Sequence, residues 1–278
     1  MGTEPYLSMF SVTVVLFLPL FFDFCFGRNV DFLSNNLDVL ASKDTVLKIN
    51  KQNSQFFYRN NKELDEYLKL LAEKCKSIMR LYSIGTSILG YPLWVLEISD
   101  KPGEREAEPG FKYVGNLHGD EPVGRELLLL LGTWICDNYM EDPLATYIVR
   151  GVHLHLLPSM NPDGFDRRSR NNAHNIDLNR DFPDQFLHHN DNEDSCQPET
   201  KAIMNWTRKN KFVASASLHG GAMVANYPWD GTSDGRTKYS RCDDDKTFQY
   251  LAEIYSRSHP YMHQSVEFPN GITNGAAW

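Results

Sequence analysis

The 278-residue chain lacks an excess of positive charge: 36 aspartates and glutamates outnumber 28 lysines and arginines, which gives a formal net charge of −8. Because binding to phosphate backbones needs a basic surface, this balance argues against nucleic acid as a partner. The chain also lacks internal repeats and low-complexity tracts. Its 41% hydrophobic and 23% charged residues exclude a disordered or collagen-like protein. We therefore expect a globular protein whose acidic balance favours cationic small molecules or peptides.

Cysteine is scarce, and its five residues show none of the CxxC spacing that is typical of structural zinc sites. One cysteine falls in the apolar N-terminal segment described below. The other four, which allow three disulfide pairings, are Cys75, Cys136, Cys196 and Cys242. The sequence does not choose among these pairings. Cys136 lies on an apolar helix and is interpreted as a core residue rather than a nucleophile.

Long hydrophobic runs are absent except near the N-terminus, over residues 9–26. The strongest part, residues 12–22, is short for a bilayer span but suits the apolar region of a signal peptide. We predict a signal peptide over residues 1–27 and a polar leader over residues 28–55. An uncleaved N-terminal anchor is the alternative. Asn205 begins an Asn-Trp-Thr glycosylation sequon, which is consistent with a secretory route.

The apolar patterns predict strands that alternate with helices. Helices are predicted over 60–81, 122–139, 198–210 and 248–257, and strands over 91–98, 111–117, 152–157 and 212–218. This alternation predicts an α/β fold with a mixed, mostly parallel central sheet and helices on both faces. In such sheets, binding sites lie at the carboxyl ends of the strands.

Two short motifs sit at predicted strand ends: Gly-Asn-Leu-His-Gly-Asp-Glu over 115–121 and Ser-Leu-His-Gly-Gly over 217–221. Together His118, Glu121 and His219 form a set of two histidines and one glutamate, which leaves a fourth position open as a catalytic zinc requires. Each motif alone is weak, because a histidine at a strand end is usually a hydrogen-bonded structural residue. Glu121 alone could be a helix N-terminal charge stabilised by the helix dipole.

A third set of motifs gives the pattern its specificity: Ser-Met-Asn-Pro-Asp-Gly over 159–164, Asp-Leu-Asn-Arg-Asp-Phe-Pro over 177–183 and Ala-Asn-Tyr-Pro-Trp-Asp over 225–230. In this order, with the two histidine motifs, they resemble the zinc metallocarboxypeptidases. The resemblance covers about residues 60–278 and is nearest to the regulatory branch that includes carboxypeptidases D, E, M and N. It implies a zinc carboxypeptidase catalytic domain over residues 56–278.

The resemblance implies one zinc ion, with His118, Glu121 and His219 as its ligands. Asp177 matches the carboxylate that hydrogen-bonds a ligand histidine and fixes its tautomer.

The resemblance also implies contacts to substrate. Asn179 and Arg180 match the pair that holds the substrate's terminal carboxylate, for which a guanidinium is suited by its bidentate geometry. Arg170 matches the arginine that polarises the scissile carbonyl and stabilises the oxyanion. Asp230 matches a specificity-pocket position whose carboxylate would pair with a C-terminal Lys or Arg. Alternatively, Asp230 is only a turn residue in the sequence Trp-Asp-Gly.

The family's general-base glutamate lies on a later strand, beyond the segment that matches residues 271–278 of this sequence. We therefore expect the catalytic domain to be incomplete at its C-terminus, without the base, the substrate-capping tyrosine or the β-sandwich domain of this branch. Glu253 and Glu267 are the only glutamates after His219, and neither matches the position of the base.

The implied function is zinc-dependent hydrolysis of the C-terminal peptide bond, releasing Lys or Arg from peptides or proteins. We expect a monomer in the secretory pathway, in the extracellular space or the endosomal or Golgi lumen. Membrane attachment would come only through an uncleaved signal or a C-terminal anchor outside this sequence. Three alternatives stay open: a zinc- and peptide-binding form with impaired catalysis because it lacks the base, an unstable fragment, and a deacylase on the same zinc scaffold.

Weaker candidates lie elsewhere in the chain. His153 and His155 alternate on one predicted strand face, a spacing that can bind metal, but no third ligand is evident. His188 and His189 fall in a polar loop, and the acidic run over 243–245 is interpreted as an exposed loop and helix N-terminus.

Overall fold

A computed structural model describes residues 58–184, 186 and 192–278. The predicted signal peptide and polar leader lie outside the described residues, and so do His188 and His189. No helix in the described ranges is long and apolar enough to cross a bilayer.

Helices and strands alternate along most of the chain. The helices are α1 (Asn61–Lys74), α2 (Val123–Asn138), α3 (Pro143–Gly151), α4 (Pro162–Arg167), α5 (Pro198–Asn210) and α6 (Asp245–Arg257). The strands are β1 (Met79–Thr86), β2 (Pro92–Ile98), β3 (Gly110–Gly115), β4 (His153–Leu157), β5 (Ala214–Leu218), β6 (Ala225–Tyr227) and β7 (Ile272–Asn274).

Five strands form the central sheet, in the order β1-β2-β4-β3-β5. β1 with β2 and β2 with β4 are antiparallel, whereas β3 pairs in parallel with both β4 and β5. The predicted α/β fold with a mixed central sheet is confirmed. The sheet is not mostly parallel as predicted, because β1 and β2 join its edge in antiparallel pairing, so parallel and antiparallel pairings are equal in number among its described strands. A separate parallel pair joins β6 to β7.

Alternation along the strands gives the sheet a hydrophobic core on each face. Leu96 and Leu156 belong to one core, which includes residues of α1 and α2. Their neighbours Val95 and Leu157 belong to the other, which includes Trp206 of α5. Helices therefore cover both faces, as predicted, and each fully buried leucine contributes about 1.5–3 kcal/mol.

The predicted helix over 60–81 is wrong after Lys74. The chain turns at Cys75, and Met79 begins β1, an edge strand that pairs with β2. Apolar residues at 75, 78 and 79 continue the helical spacing, but they serve other contacts: Cys75 is disulfide-bonded to Cys136, and Ile78 and Met79 enter the core. The short helix α3, which begins with an Asp142 cap and a proline, was not predicted.

The disulfide closes a loop of 61 residues between the end of α1 and the last turn of α2. Cys136, interpreted as a core residue, thus has a covalent partner, whereas Cys196 and Cys242 are free and buried. A disulfide stabilises mainly by restricting the unfolded chain.

Replacing Cys75 and Cys136 together by alanine should lower the free energy of unfolding by about 2–4 kcal/mol, because the unfolded chain regains loop entropy. Urea unfolding of the double variant against the oxidised wild type measures this loss. Cys242→Ala serves as a control for removal of a thiol without loss of the cross-link: added reductant should lower its unfolding midpoint as in the wild type, whereas the midpoint of the double variant should not respond. An unfolding midpoint of the wild type that reductant does not change would contradict the assignment.

Candidate active site

The parallel pairing of β3 with β5 brings two histidine motifs to the same edge of the sheet. Gly115 is paired with Leu218 at the ends of the two strands. His118 follows β3, and His219 follows β5 directly. Residues that are 101 positions apart in sequence therefore become neighbours, and both imidazoles are buried.

A glycine at the start of α2 lets this helix approach the end of β5. A Cβ atom at Gly124 would lie 2.6 Å from the Cβ atom of Leu218, so any larger residue would push the two elements apart. The close approach places Glu121, just before α2, against Gly220 and His219.

Three ligand-type side chains, His118, Glu121 and His219, converge at this edge and are called the ligand cluster below. One carboxylate oxygen of Glu121 lies 2.9 Å from Nδ1 of His118, and the other lies 2.9 Å from Nδ1 of His219. The two Nδ1 atoms are 3.1 Å apart. One cation held between these atoms would satisfy two nitrogens that otherwise face each other, and two histidines with one glutamate are a ligand set that suits zinc. The residues present therefore fit a zinc ion.

The charge of Glu121 suits this arrangement. Burial by itself raises the pKa of the carboxyl, but its contacts with His118 and His219 and a hydrogen bond from the backbone N–H of Gly220 outweigh burial and hold the pKa well below its usual range. Glu121 is therefore a carboxylate at neutral pH.

Asp177 contacts the far side of the His118 ring. Its Oδ1 atom lies 3.2 Å from Nε2 of His118 and accepts a hydrogen bond from the backbone N–H of Asn179 at 2.8 Å. Burial raises the pKa of Asp177, but the Asn179 N–H and the charges of His118 and Arg170 lower it more. A carboxylate at Nε2 favours a proton there and leaves Nδ1 of His118 free for a metal.

Arg170 lies at the solvent side of the ligand atoms. Its Nε donates to Asp177 at 2.9 Å, and its Nη1 atom lies 3.2 Å from Nδ1 of His118 and 3.6 Å from Glu121. Its side chain is 45% exposed, so the guanidinium remains accessible beside the ligand atoms.

Asn179 and Arg180 lie on a single 3₁₀ turn, Leu178–Arg180, which the Asp177 side chain caps. Nη1 of Arg180 donates to the carbonyl of Asn179 at 3.1 Å. The turn follows directly from Asp177 and is therefore tied to the ligand cluster. Asp177 through Arg180 thus form one short structural unit.

Asp230 belongs to the same region but is solvent-accessible rather than buried. Surrounding protein still desolvates its carboxylate enough to raise the pKa above its usual value, while the charges of Arg180 and His219 act to lower it. Asp230 is therefore an exposed carboxylate within electrostatic reach of the ligand His219.

The sequence reasoning assigned no role to Asn226, which lies on β6 and is 3% exposed. Its Oδ1 atom has no hydrogen-bond partner among the described residues. A Cβ atom at Gly275 would lie 2.6 Å from Oδ1 of Asp230 and 2.9 Å from Oδ1 of Asn226. The two side chains thus present oxygens to the same small space. A polar residue inside a buried strand was the only signal in the sequence.

The structure brings Glu97 to His153 and His155, supplying the third ligand type that the sequence did not reveal. The Glu97 carboxylate is already saturated: it accepts from Arg80 Nε at 2.7 Å, from Gly103 N–H at 2.8 Å and contacts His153 Nε2 at 2.7 Å. The two rings stack 4.7 Å apart at 19°, so their nitrogen lone pairs do not converge on one point. We interpret this cluster as structural.

The remaining candidates lie away from the ligand cluster. Asn205 is exposed on α5, which leaves its glycosylation a prediction. Asp243 and Asp244 are exposed, as predicted for the acidic run. Asp245 begins α6 but is buried, where it accepts a hydrogen bond from the hydroxyl of Tyr239.

Residues 64–278 match the family described as zinc carboxypeptidase. The chain belongs to this family. It is 64% identical over 221 residues to Carboxypeptidase SOL1 of Arabidopsis thaliana, covering 80% of this chain and 45% of that protein. It is 44% identical over 246 residues to human Carboxypeptidase D, and the match covers 82% of this chain and 18% of that protein. It is 44% identical over 242 residues to mouse Carboxypeptidase M, and the match covers 80% of this chain and 54% of that protein.

The zinc carboxypeptidase chain thus spans about half or less of the length of these relatives, which confirm its resemblance to the regulatory branch. Two solved structures share its fold at low sequence identity. Thrombin activatable fibrinolysis inhibitor superposes with a TM-score of 0.66 at 19% identity, covering 80% of this chain and 60% of that one. Carboxypeptidase A of Helicoverpa armigera superposes with a TM-score of 0.57 at 18% identity, and the match covers 88% of this chain and 63% of that one.

Replacing His219 by alanine should reduce zinc binding from one ion per chain to well below one after dialysis, because it removes one of three converging ligand atoms. Elemental analysis by mass spectrometry measures the zinc content. His153→Ala is the matched control and should retain one zinc, because the Glu97 cluster is saturated without metal. Full zinc content in His219→Ala, or its loss in His153→Ala, would place the metal elsewhere.

Proposed function

We propose that this protein is a zinc-dependent carboxypeptidase that hydrolyses the C-terminal peptide bond of peptides or proteins and releases Lys or Arg. The observation that carries the proposal is the convergence of Glu121 with the two histidines at one sheet edge, with Asp230 within electrostatic reach of His219. Family membership supports the reaction class.

In this proposal His118 and His219 hold the ion through Nδ1, and Glu121 holds it through its carboxylate. When bound, zinc would lower the pKa of a coordinated water molecule and polarise a carbonyl group. Asp177 keeps the His118 proton at Nε2, the nitrogen that lies 3.2 Å from its carboxylate. Asp177 would therefore set the tautomer that metal binding needs.

The substrate's C-terminal carboxylate would bind Asn179 and Arg180, since an amide and a guanidinium both donate hydrogen bonds to carboxylates. Arg170 would bind the oxygen of the scissile carbonyl, where negative charge develops. Its position beside the ligand atoms, with Nη1 3.6 Å from Glu121, supports this role. Arg170 lies beside the zinc ligands. Both arginines donate hydrogen bonds without accepting them, so they favour a substrate that ends in a free carboxylate.

Asp230 would select the side chain of the residue released. A lysine or arginine side chain would pair with its carboxylate and offset the desolvation that raises the pKa of Asp230. Asn226 would add an acceptor beside it, because its Oδ1 faces the same space. Two acceptor oxygens that face the same space favour a cationic side chain over the small neutral one that a deacylase would take.

A second candidate is a form that binds zinc and peptide with impaired turnover. We assign no general base among the described residues: Glu253 pairs with Arg257 on the exposed side of α6, and Glu267 is exposed. Loss of acid–base catalysis would lower the rate by roughly 10²–10⁴. Measuring peptide affinity and turnover on the same purified chain separates the two candidates.

We also propose that the protein acts as a monomer in the secretory pathway, in the extracellular space or the endosomal or Golgi lumen. The apolar N-terminal segment supports this location. The Cys75–Cys136 disulfide supports it too, because disulfides persist in oxidising compartments.

Replacing Asp230 by asparagine should lower kcat/KM for a peptide ending in arginine by about 10- to 100-fold, since a hydrogen bond to a charged group contributes about 1.5–3 kcal/mol. Kinetics on peptides ending in Arg or Ala measure the change, with a zinc chelator abolishing release from either peptide. Asp234→Asn, at an exposed aspartate paired with Lys238, is the control and should keep the preference. Arginine preference retained in Asp230→Asn, or release unaffected by the chelator, would refute the proposal.

A further inference from the structure

Asn116 occupies the turn between β3 and His118 and is completely buried. Its backbone φ is 53°, in the left-handed region. Asparagine adopts this region more readily than most residues with a side chain. The turn redirects the chain from the sheet to the segment that carries His118 and Glu121.

The Asn116 side chain donates hydrogen bonds to several backbone carbonyl groups of that segment. Its Nδ2 atom donates to the carbonyl oxygens of His118 at 2.8 Å, of Gly119 at 3.2 Å and of Glu121 at 3.4 Å. His118 and Glu121 thus contact Asn116 through their backbones while their side chains contact each other. One amide therefore spans the residues whose spacing decides where two metal ligands lie.

A hydroxyl group fixes the orientation of this amide. Ser159, just after β4, donates from Oγ to Oδ1 of Asn116 at 2.8 Å. Because the hydroxyl occupies the oxygen end, the NH₂ end faces the three carbonyls. Ser159 is itself buried, so this contact is shielded from competing water.

The same network reaches Arg170. The backbone N–H of Asn161 donates to the carbonyl of Asn116 at 3.0 Å, and its side-chain Nδ2 donates to the carbonyl of Arg170 at 3.1 Å. The N–H of Gly119 donates to that same Arg170 carbonyl at 3.2 Å. The ligand segment and the Arg170 loop are thus joined through buried hydrogen bonds.

We propose that Asn116 is a positioning residue of the metal centre, which sets the separation of His118 and Glu121 through their backbone carbonyls. The inference rests on the proposed zinc-dependent function. It differs from a purely structural role in one respect: the intrinsic zinc affinity of the folded protein depends on Asn116, in addition to its stability.

Asn116→Asp tests this directly, because aspartate keeps the size and the tolerance of the left-handed region but turns a carboxylate oxygen toward three carbonyls. The zinc dissociation constant of the folded, metal-free protein is measured by competition with a chromophoric chelator. We expect it to rise about 10- to 100-fold, the range found when supporting partners of metal ligands are removed.

Asn274→Asp is the matched control. Asn274 is also buried, and its Nδ2 donates to the carbonyls of Pro228 at 2.9 Å and Ser240 at 3.0 Å, away from the ligand segment. Both variants should lower the melting temperature of the metal-free protein. Only Asn116→Asp should weaken zinc binding.

Ser159→Ala is a milder variant that removes only the hydroxyl orienting the Asn116 amide, and it decides the matter should Asn116→Asp fail to fold. We expect its zinc dissociation constant to rise several-fold, less than in Asn116→Asp. Wild-type zinc affinity in folded Asn116→Asp, or in Ser159→Ala, would overturn the inference while leaving the proposed function intact. A wild-type protein that binds no zinc would overturn both.

Discussion

The parallel pairing of β3 with β5 is the constraint on which the metal-binding arrangement depends. It aligns Gly115 with Leu218, so the residues that follow both strands emerge at one edge of the sheet. Gly124 then allows α2 to pack against the end of β5, which brings Glu121 between the two histidines. Without this register the three side chains would remain separate hydrogen-bonded residues, because neither motif alone can enclose a cation.

Around this edge, the polar side chains of the site contact one another, and these contacts fix their positions. Asp177 contacts His118 and Arg170, while its backbone continues into the turn that bears Asn179 and Arg180. The pKa values of Glu121 and of its neighbour Asp177 are lowered, whereas the pKa of Asp230 is raised. This contrast separates a charged centre from a carboxylate that a cationic partner would stabilise.

Much of this arrangement could be predicted from local sequence. Strand ends followed by histidine indicated where the ligands lie, and α5 runs over the predicted residues 198–210 because its proline start and apolar face are local signals. The sequence did not predict β1, because Cys75 continues the helical spacing of apolar residues. The structure shows that Cys75 instead forms a disulfide with Cys136, which is 61 positions away. Asn116 and Asn226 were also missed, since their roles come from partners that only the folded chain brings near: Ser159 for one and Gly275 for the other.

The zinc site that we propose has three ligands, Nδ1 of His118, Nδ1 of His219 and the Glu121 carboxylate. Anomalous X-ray diffraction at the zinc absorption edge, on crystals of the zinc-loaded protein, tests it most directly. We expect a single strong peak about 2.0–2.2 Å from both Nδ1 atoms and a carboxylate oxygen of Glu121. A peak beside Glu97, His153 and His155, or zinc bound through Nε2 of His118, would contradict it.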